Sequence, residues 1–189
     1  SQVWADADRL YWLHDPIDAA IPPEPLLAPA YIQERARTIQ GSVSAAPFPG
    51  LPPGIAQYPY ALPQQGQEQG TTQVSIVDAA GNLASYTASV ETVFGSRHLL
   101  AGMVMNNQLT DFSFRPTLQG KPIANRRLPG RRPASSMAPT MVFRNGEPIL
   151  ALGSPGGRTI PHVLSRVLLA SLIWKETPAR SVALPLLSK

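Results

Sequence analysis

Hydrophobic and polar positions follow two regimes along the chain, and the change falls at Thr71. From Thr71 onward, TTQVSIVD and LASYTASV are β-rich runs joined by Ala79-Ala80-Gly81-Asn82, which predicts a hairpin. GMVMNN (102–107) predicts a further strand, and TMVFR and PILALG flank Asn145-Gly146, a strong hairpin signal. Four or five strands of one sheet are expected. GSPGG (153–157) then leads into RTIPHVLSRVLLASLIWKE, where Ile160, Val163, Leu164, Val167 and Leu168 recur at helical spacing, predicting a helix on the sheet.

Before Thr71 the periodicity is poor. One helix is expected from Pro29 to Gln40, with Ala30, Ile32, Ala36 and Ile39 inward. SAAPFPGLPPGIAQYPYALPQQGQEQG, ending at Gly70, reads as an extended surface linker. Many of the chain's 21 prolines crowd between Pro16 and Pro63, where they remove backbone donors and block regular structure.

Composition narrows the function classes. The 189 residues are 43% hydrophobic, enough for one core, and 15% charged with a formal charge of +4, short of the loading of a nucleic-acid binder. Cys is absent, which excludes disulfides, thiolate metal sites and a Cys nucleophile. His14, His98 and His162 lack metal-ligand spacing, so no metal or other cofactor is expected. The basic loop RRLPGRR (126–132) reads as a solvated turn. No apolar run reaches the roughly 18 residues of a membrane span, and SQVWADADRLYW has neither the basic nor the apolar region of a secretory signal.

The candidate chemistry centres on Thr71, although a β-branched residue opening a strand is ordinarily structural. Here a loop ending in Gly70 precedes a hydroxyl residue. Self-cleavage at Gly70–Thr71 would free an amine able to act as base to the same residue's hydroxyl. The GSPGG turn lacks the Lys-Ser/Thr ending of a phosphate-binding loop. Backbone N–H groups at Gly156 and Gly157 suit an oxyanion, although such turns usually only reverse the chain. Ser135 and Ser136 could bind a carboxylate or cap a turn. Asn107, Gln108 and Asp111 could hold an ammonium group or end a strand.

In order, TTQVSIVDAAGN, FGS (94–96), GMVMNNQLTDF, RPASSMAPTMV and GSPGG resemble the successive motifs of the gamma-glutamyltranspeptidase small subunit. WADADRLYWLHDP and the Pro-rich stretch resemble the end of that family's large subunit, so the resemblance covers nearly the whole chain. It implies an α+β fold of the N-terminal-nucleophile hydrolase type, an αββα sandwich matured by autocatalytic cleavage, here incomplete. Residues 1–70 would be the large subunit's C-terminal tail and 71–189 the small-subunit-like catalytic part.

The resemblance implies Thr71 as nucleophile and Ser89 as the hydroxyl hydrogen-bonded to it. Gln108 and Asp111 would bind the glutamyl α-amino group, Ser135 and Ser136 the α-carboxylate, and Gly156 and Gly157 the oxyanion. Glu91, in the substrate-binding set, stands where the family commonly has Asn, which raises a related glutaryl or cephalosporin acylase as an alternative. The loop from Ser113 to Arg132 carries no Tyr, whereas bacterial relatives often have a tyrosine-bearing lid. The implied partners are a small γ-glutamyl substrate such as glutathione and the remainder of the large subunit, including a carboxylate-clamping arginine; the implied location is periplasmic or secreted. An inactive truncated family member is the remaining alternative.

Overall fold

The computed structural model describes residues 2–15, 22–39, 47–62 and 70–186. The expected helix end at Gln40 and the linker positions 44–46 and 63–69 lie outside the described residues. The architecture mixes helix and strand and divides into two compact units. One comprises Ser1–Gln65 with Leu109–Ala134, and the other Gly66–Gln108 with Ser135–Lys189.

In the first unit, helix α1 (Gln2–Trp12) ends on two aromatic residues that form the core with Tyr60 and Ala124. The Tyr11 hydroxyl donates to the Tyr60 carbonyl at 2.7 Å and accepts the Tyr60 amide N–H at 2.9 Å. Trp12 Nε1 donates to the Gly50 carbonyl at 2.9 Å. Tyr11 packs edge-on against Tyr58, and Trp12 stacks on it. Residues 47–62 therefore do not behave as a surface linker. Tyr58 and Tyr60 carry large apolar area with a polar tip, and burying it against α1 overrides the local Pro/Gly signal.

Helix α2 (Pro29–Arg37) forms where a helix is expected, but on a different face. Tyr31 is buried, while Ile32 is 51% and Ile39 43% exposed, and Ala30 and Ala36 are exposed too. Arg35, one turn after Tyr31, explains the choice. Its guanidinium meets Asp8 of α1 at 2.9 and 2.8 Å, and the same carboxylate accepts the Gly50 N–H at 2.7 Å. A two-point ion pair with a third donor outweighs exposing small aliphatic side chains. Strands β5 (Thr117–Leu118) and β6 (Lys121–Pro122), numbered in chain order, form a short hairpin in this unit.

The second unit holds the remaining strands. β1 (Thr71–Val77) and β2 (Leu83–Ser89) pair antiparallel in the register Thr71 opposite Ser89, Gln73 opposite Thr87 and Ser75 opposite Ser85. The expected turn closes them. The Asp78 carboxylate accepts from the N–H groups of Ala80 and Asn82 and from the Asn82 side chain, which holds its pKa below the usual carboxylate range. β7 (Thr140–Arg144) and β8 (Glu147–Leu152) pair across Asn145-Gly146, both at positive φ, with a bulge between Val142 and Phe143.

One expectation fails here. Among the described residues the strands form four separate two-stranded ladders rather than one sheet, and 102–107 contributes only β4 (Met103–Val104), paired with β3 (Leu99–Leu100). Ala101 and Gly102, both at positive φ, close this hairpin, and Arg97 at φ 61 bends the chain two residues before β3 begins.

Helix α3 (Ile160–Leu168) keeps its predicted face. Ile160, Leu164 and Val167 are buried with Leu152, and Val163 and Leu168 pack against them. A π-helical turn, Leu169–Ile173, continues α3, and Thr177 caps α4 (Pro178–Ala183) by accepting the Arg180 N–H. No described helix is long and apolar enough to cross a membrane.

Candidate active site

Thr71 opens β1 half-buried, directly after Gly70 at φ +91. A Cβ at position 70 would approach the Glu91 carbonyl oxygen to 2.5 Å, so backbone angle and space both demand glycine before Thr71. The register puts Ser89 opposite Thr71, and the Thr71 hydroxyl donates to Ser89 Oγ at 3.4 Å. Ser89 in turn donates to the Gly70 carbonyl oxygen at 3.3 Å and accepts the Glu91 N–H at 2.9 Å. One serine thus touches both the candidate nucleophile and the carbonyl that nucleophile would attack.

Beyond β2 the chain turns sharply, with Glu91 at φ +74. That conformation is strained for a residue with a side chain, and Glu91 is 5% exposed. Asn107 Nδ2 donates to Glu91 Oε2 at 2.8 Å, while Asn107 Oδ1 accepts the Thr92 N–H and hydroxyl at 3.1 and 2.9 Å. The FGS motif lies in the same loop: Ser96 donates its N–H to the Met105 carbonyl at 2.8 Å.

Gln108 begins a one-turn 3-10 helix, Gln108–Asp111, and donates its N–H to Asn106 Oδ1 at 3.0 Å. Asp111 belongs to the first unit, where its carbonyl accepts Asn125 Nδ2 at 2.7 Å. Ser135 is exposed and its hydroxyl accepts the Met137 N–H at 3.2 Å; Ser136 is buried. Gly156 and Gly157 have φ of 126 and 53, and Gly157 is buried. The Gly156 carbonyl accepts both the N–H and the hydroxyl of Thr159, turning it toward the first turn before α3. The N–H groups at such a helix start have no acceptor within the helix.

The structure thus brings Gly70, Thr71, Ser89 and Glu91 together through hydrogen bonds. Sequence reasoning did not find Gln73, Ser85, Thr87 and Gly153, which meet one another further along the β1–β2 hairpin and at the end of β8. The signal was the alternation itself: Thr71, Gln73 and Ser75 stand opposite Ser89, Thr87 and Ser85, a polar stripe on a strand face that is half-buried except at the exposed Ser75. Among the described residues, no group of three or more His, Asp or Glu could hold a metal ion.

Thr71 thus starts a strand directly after a glycine that both backbone angle and space require, and the Ser89 hydroxyl bridges from Thr71 Oγ1 to the preceding carbonyl. The sequence profile described as Gamma-glutamyltranspeptidase matches residues 2–189, and the chain belongs to that family. It is 38% identical over 162 residues to the glutathione hydrolase proenzyme of Bacillus subtilis strain 168, covering 82% of this chain and 27% of that protein. The structure of the gamma-glutamyltranspeptidase from Pseudomonas nitroreducens complexed with L-DON is similar at TM-score 0.54 and 36% identity, over 60% of this chain and 62% of that one. The fold is also that of the cephalosporin acylase from Bacillus halodurans, at TM-score 0.75 and 24% identity, over 93% of this chain and 29% of the acylase. The chain therefore spans about a quarter of the length of the curated relative it matches.

Proposed function

We propose that the protein carrying this sequence is a proenzyme that cleaves itself at Gly70–Thr71 and then hydrolyses or transfers γ-glutamyl groups from glutathione and related amides. The observation that carries this reading is Ser89, whose hydroxyl bonds both Thr71 Oγ1 and the Gly70 carbonyl oxygen. In self-cleavage Thr71 Oγ1 bonds to the Gly70 carbonyl carbon. The Thr71 hydroxyl proton passes to Ser89 Oγ as the Ser89 proton passes to the Gly70 oxygen. The C–N bond then breaks with a proton returned to the Thr71 nitrogen, leaving an ester that water hydrolyses to a Gly70 carboxylate and a free Thr71 amine.

In turnover the same hydroxyl attacks the γ-glutamyl carbonyl, with the Thr71 amine as base and the N–H groups of Gly156 and Gly157 as oxyanion donors. Gln108 and Asp111 bind the substrate α-ammonium, Ser135 and Ser136 its α-carboxylate, and Glu91 lines the same subsite. This reading takes the fold as the αββα sandwich of N-terminal-nucleophile hydrolases. It divides the chain at Thr71 into the end of a large subunit, 1–70, and the body of a small one, 71–189. The remainder of the large subunit supplies a carboxylate-binding arginine, and the protein acts in the periplasm or outside the cell.

N-terminal sequencing of the purified full-length protein tests the first step: a new terminus at Thr71 is expected, lost in Thr71→Ala. Absence of that terminus in the unmodified protein overturns the self-processing mechanism. Release of γ-glutamyl anilide over glutaryl anilide separates the transpeptidase reading from the acylase reading that Glu91 raises, and release of neither supports an inactive family member.

A further inference from the structure

The β1–β2 hairpin carries Thr71 and Ser89, and the β7–β8 hairpin runs directly into Gly153–Gly157, yet the two hairpins share no ladder. What crosses between them is a chain of side-chain bonds. Ser85 of β2 donates its hydroxyl to the Leu152 carbonyl at the end of β8, at 2.9 Å. Gln73 Nε2 donates to Ser85 Oγ at 3.1 Å and to Ser75 Oγ at 3.2 Å, while Gln73 Oε1 accepts the Thr87 hydroxyl. The next residue of the β8 strand end is Gly153, where a Cβ would overlap the Gln73 carboxamide. Glycine at 153 thus leaves the space that Gln73 fills.

We propose that Gln73 is a positioning residue for the Thr71 reaction: its carboxamide fixes the separation between the strand that bears the nucleophile and the loop that bears Gly156 and Gly157. The role rests on the reading of Thr71 as nucleophile and of that loop as oxyanion site. Gln73 lies two residues from Thr71 on the same strand face, and Gly153 three residues before Gly156. A shift of either hairpin therefore moves hydroxyl and oxyanion donors against each other. Attack on a carbonyl needs those groups aligned together, and a misplacement of about 1 Å costs on the order of a hundredfold in rate. Substrate binding groups on other segments are untouched, so the loss falls on kcat.

The geometry gives a reciprocal test in the full-length protein, with kcat and KM measured on γ-glutamyl anilide. Gln73→Met keeps the length and removes the hydrogen bonds; kcat is expected to fall about tenfold to a hundredfold with KM within about twofold. Gly153→Ala is expected to do the same, because its methyl displaces the Gln73 carboxamide, the far end of a flexible side chain. In Gln73→Ala the space for that methyl opens, so Gln73→Ala with Gly153→Ala should turn over no more slowly than Gln73→Ala alone. A Gln73→Met protein with unchanged kcat, or multiplied losses in the double variant, overturns the proposal while leaving γ-glutamyl turnover by the unmodified protein intact. Absence of that turnover removes the functional reading itself, and the positioning role with it.

Discussion

Asn107 holds the Glu91 carboxylate from one side of its carboxamide, at 2.8 Å, and the Thr92 N–H and hydroxyl from the other. Both hydrogen-bonding ends of one amide are committed to the turn after β2, and this fixes the direction in which a buried carboxylate points. Asn107→Ala is expected to destabilise the protein by about 1–3 kcal/mol, the usual cost of removing a hydrogen-bond partner from a buried polar group. If Glu91 lines the donor subsite, KM for γ-glutamyl anilide should rise roughly tenfold, a factor equal to about 1.4 kcal/mol of binding. Asn107→Asp should be worse on both counts, because it sets two carboxylates face to face. Thermal unfolding and steady-state kinetics read the two effects separately.

Gly70 combines a positive φ with a closed space, so Gly70→Ala cannot keep the present conformation. The methyl would press on the Glu91 backbone carbonyl, which has no flexible side chain to yield. Cleavage before Thr71, followed by gel or mass spectrometry after expression, is expected to slow at least about tenfold, the effect of misaligning an attacking hydroxyl from its carbonyl. Unchanged processing in Gly70→Ala would count against Gly70–Thr71 as the scissile bond.

Parts of the fold are legible in the sequence alone, and the unevenness has physical causes. Hairpins closed by Asp78–Asn82 and Asn145-Gly146 were readable because their turn residues encode the backbone angles locally. Helix α3 was readable because its apolar face repeats at helical spacing. The face of α2 was not. It is decided by the Arg35–Asp8 pair, which joins residues 27 positions apart and leaves no local trace. Residues 47–62 misled for the same reason, since the partners of Tyr58 and Tyr60 lie on α1. At the candidate site, motif order points to Thr71 and Ser89; Gln73 belongs to an alternating polar run visible in the sequence, but its fit against Gly153 emerges only when the two hairpins are seen together.

Ser89→Ala removes the hydroxyl that meets both Thr71 Oγ1 and the Gly70 oxygen. Positioned proton transfer is worth about a hundredfold or more in rate, so self-cleavage in Ser89→Ala should slow by at least that factor. Ser89→Thr keeps the hydroxyl on a strand that favours β-branching, and it should restore cleavage to within about tenfold of the unmodified protein. A time course of the new Thr71 terminus distinguishes the two. Equal rates in Ser89→Ala and Ser89→Thr would show that the hydroxyl does not carry the proton.

His14 supplies a pH dependence in the first unit. Its Nε2 lies 3.1 Å from the Tyr60 hydroxyl beside the aromatic core, and burial, then the Arg131 guanidinium, push its pKa below the ordinary imidazole value. Folding therefore favours the neutral ring, and the unfolded chain binds the proton more readily. The linkage has one sign: this contribution to stability is fully present above the unfolded pKa of about 6.5 and is lost as pH falls through it toward the lower folded value. His14→Gln can still reach the Tyr60 hydroxyl but does not titrate. Between pH 8 and pH 5.5 the unmodified protein should lose more Tm than His14→Gln, because His98 and His162 are common to both and cancel in the comparison. Parallel Tm profiles for the two proteins would mean that His14 titrates alike folded and unfolded, and an NMR titration of its imidazole would then return the ordinary value.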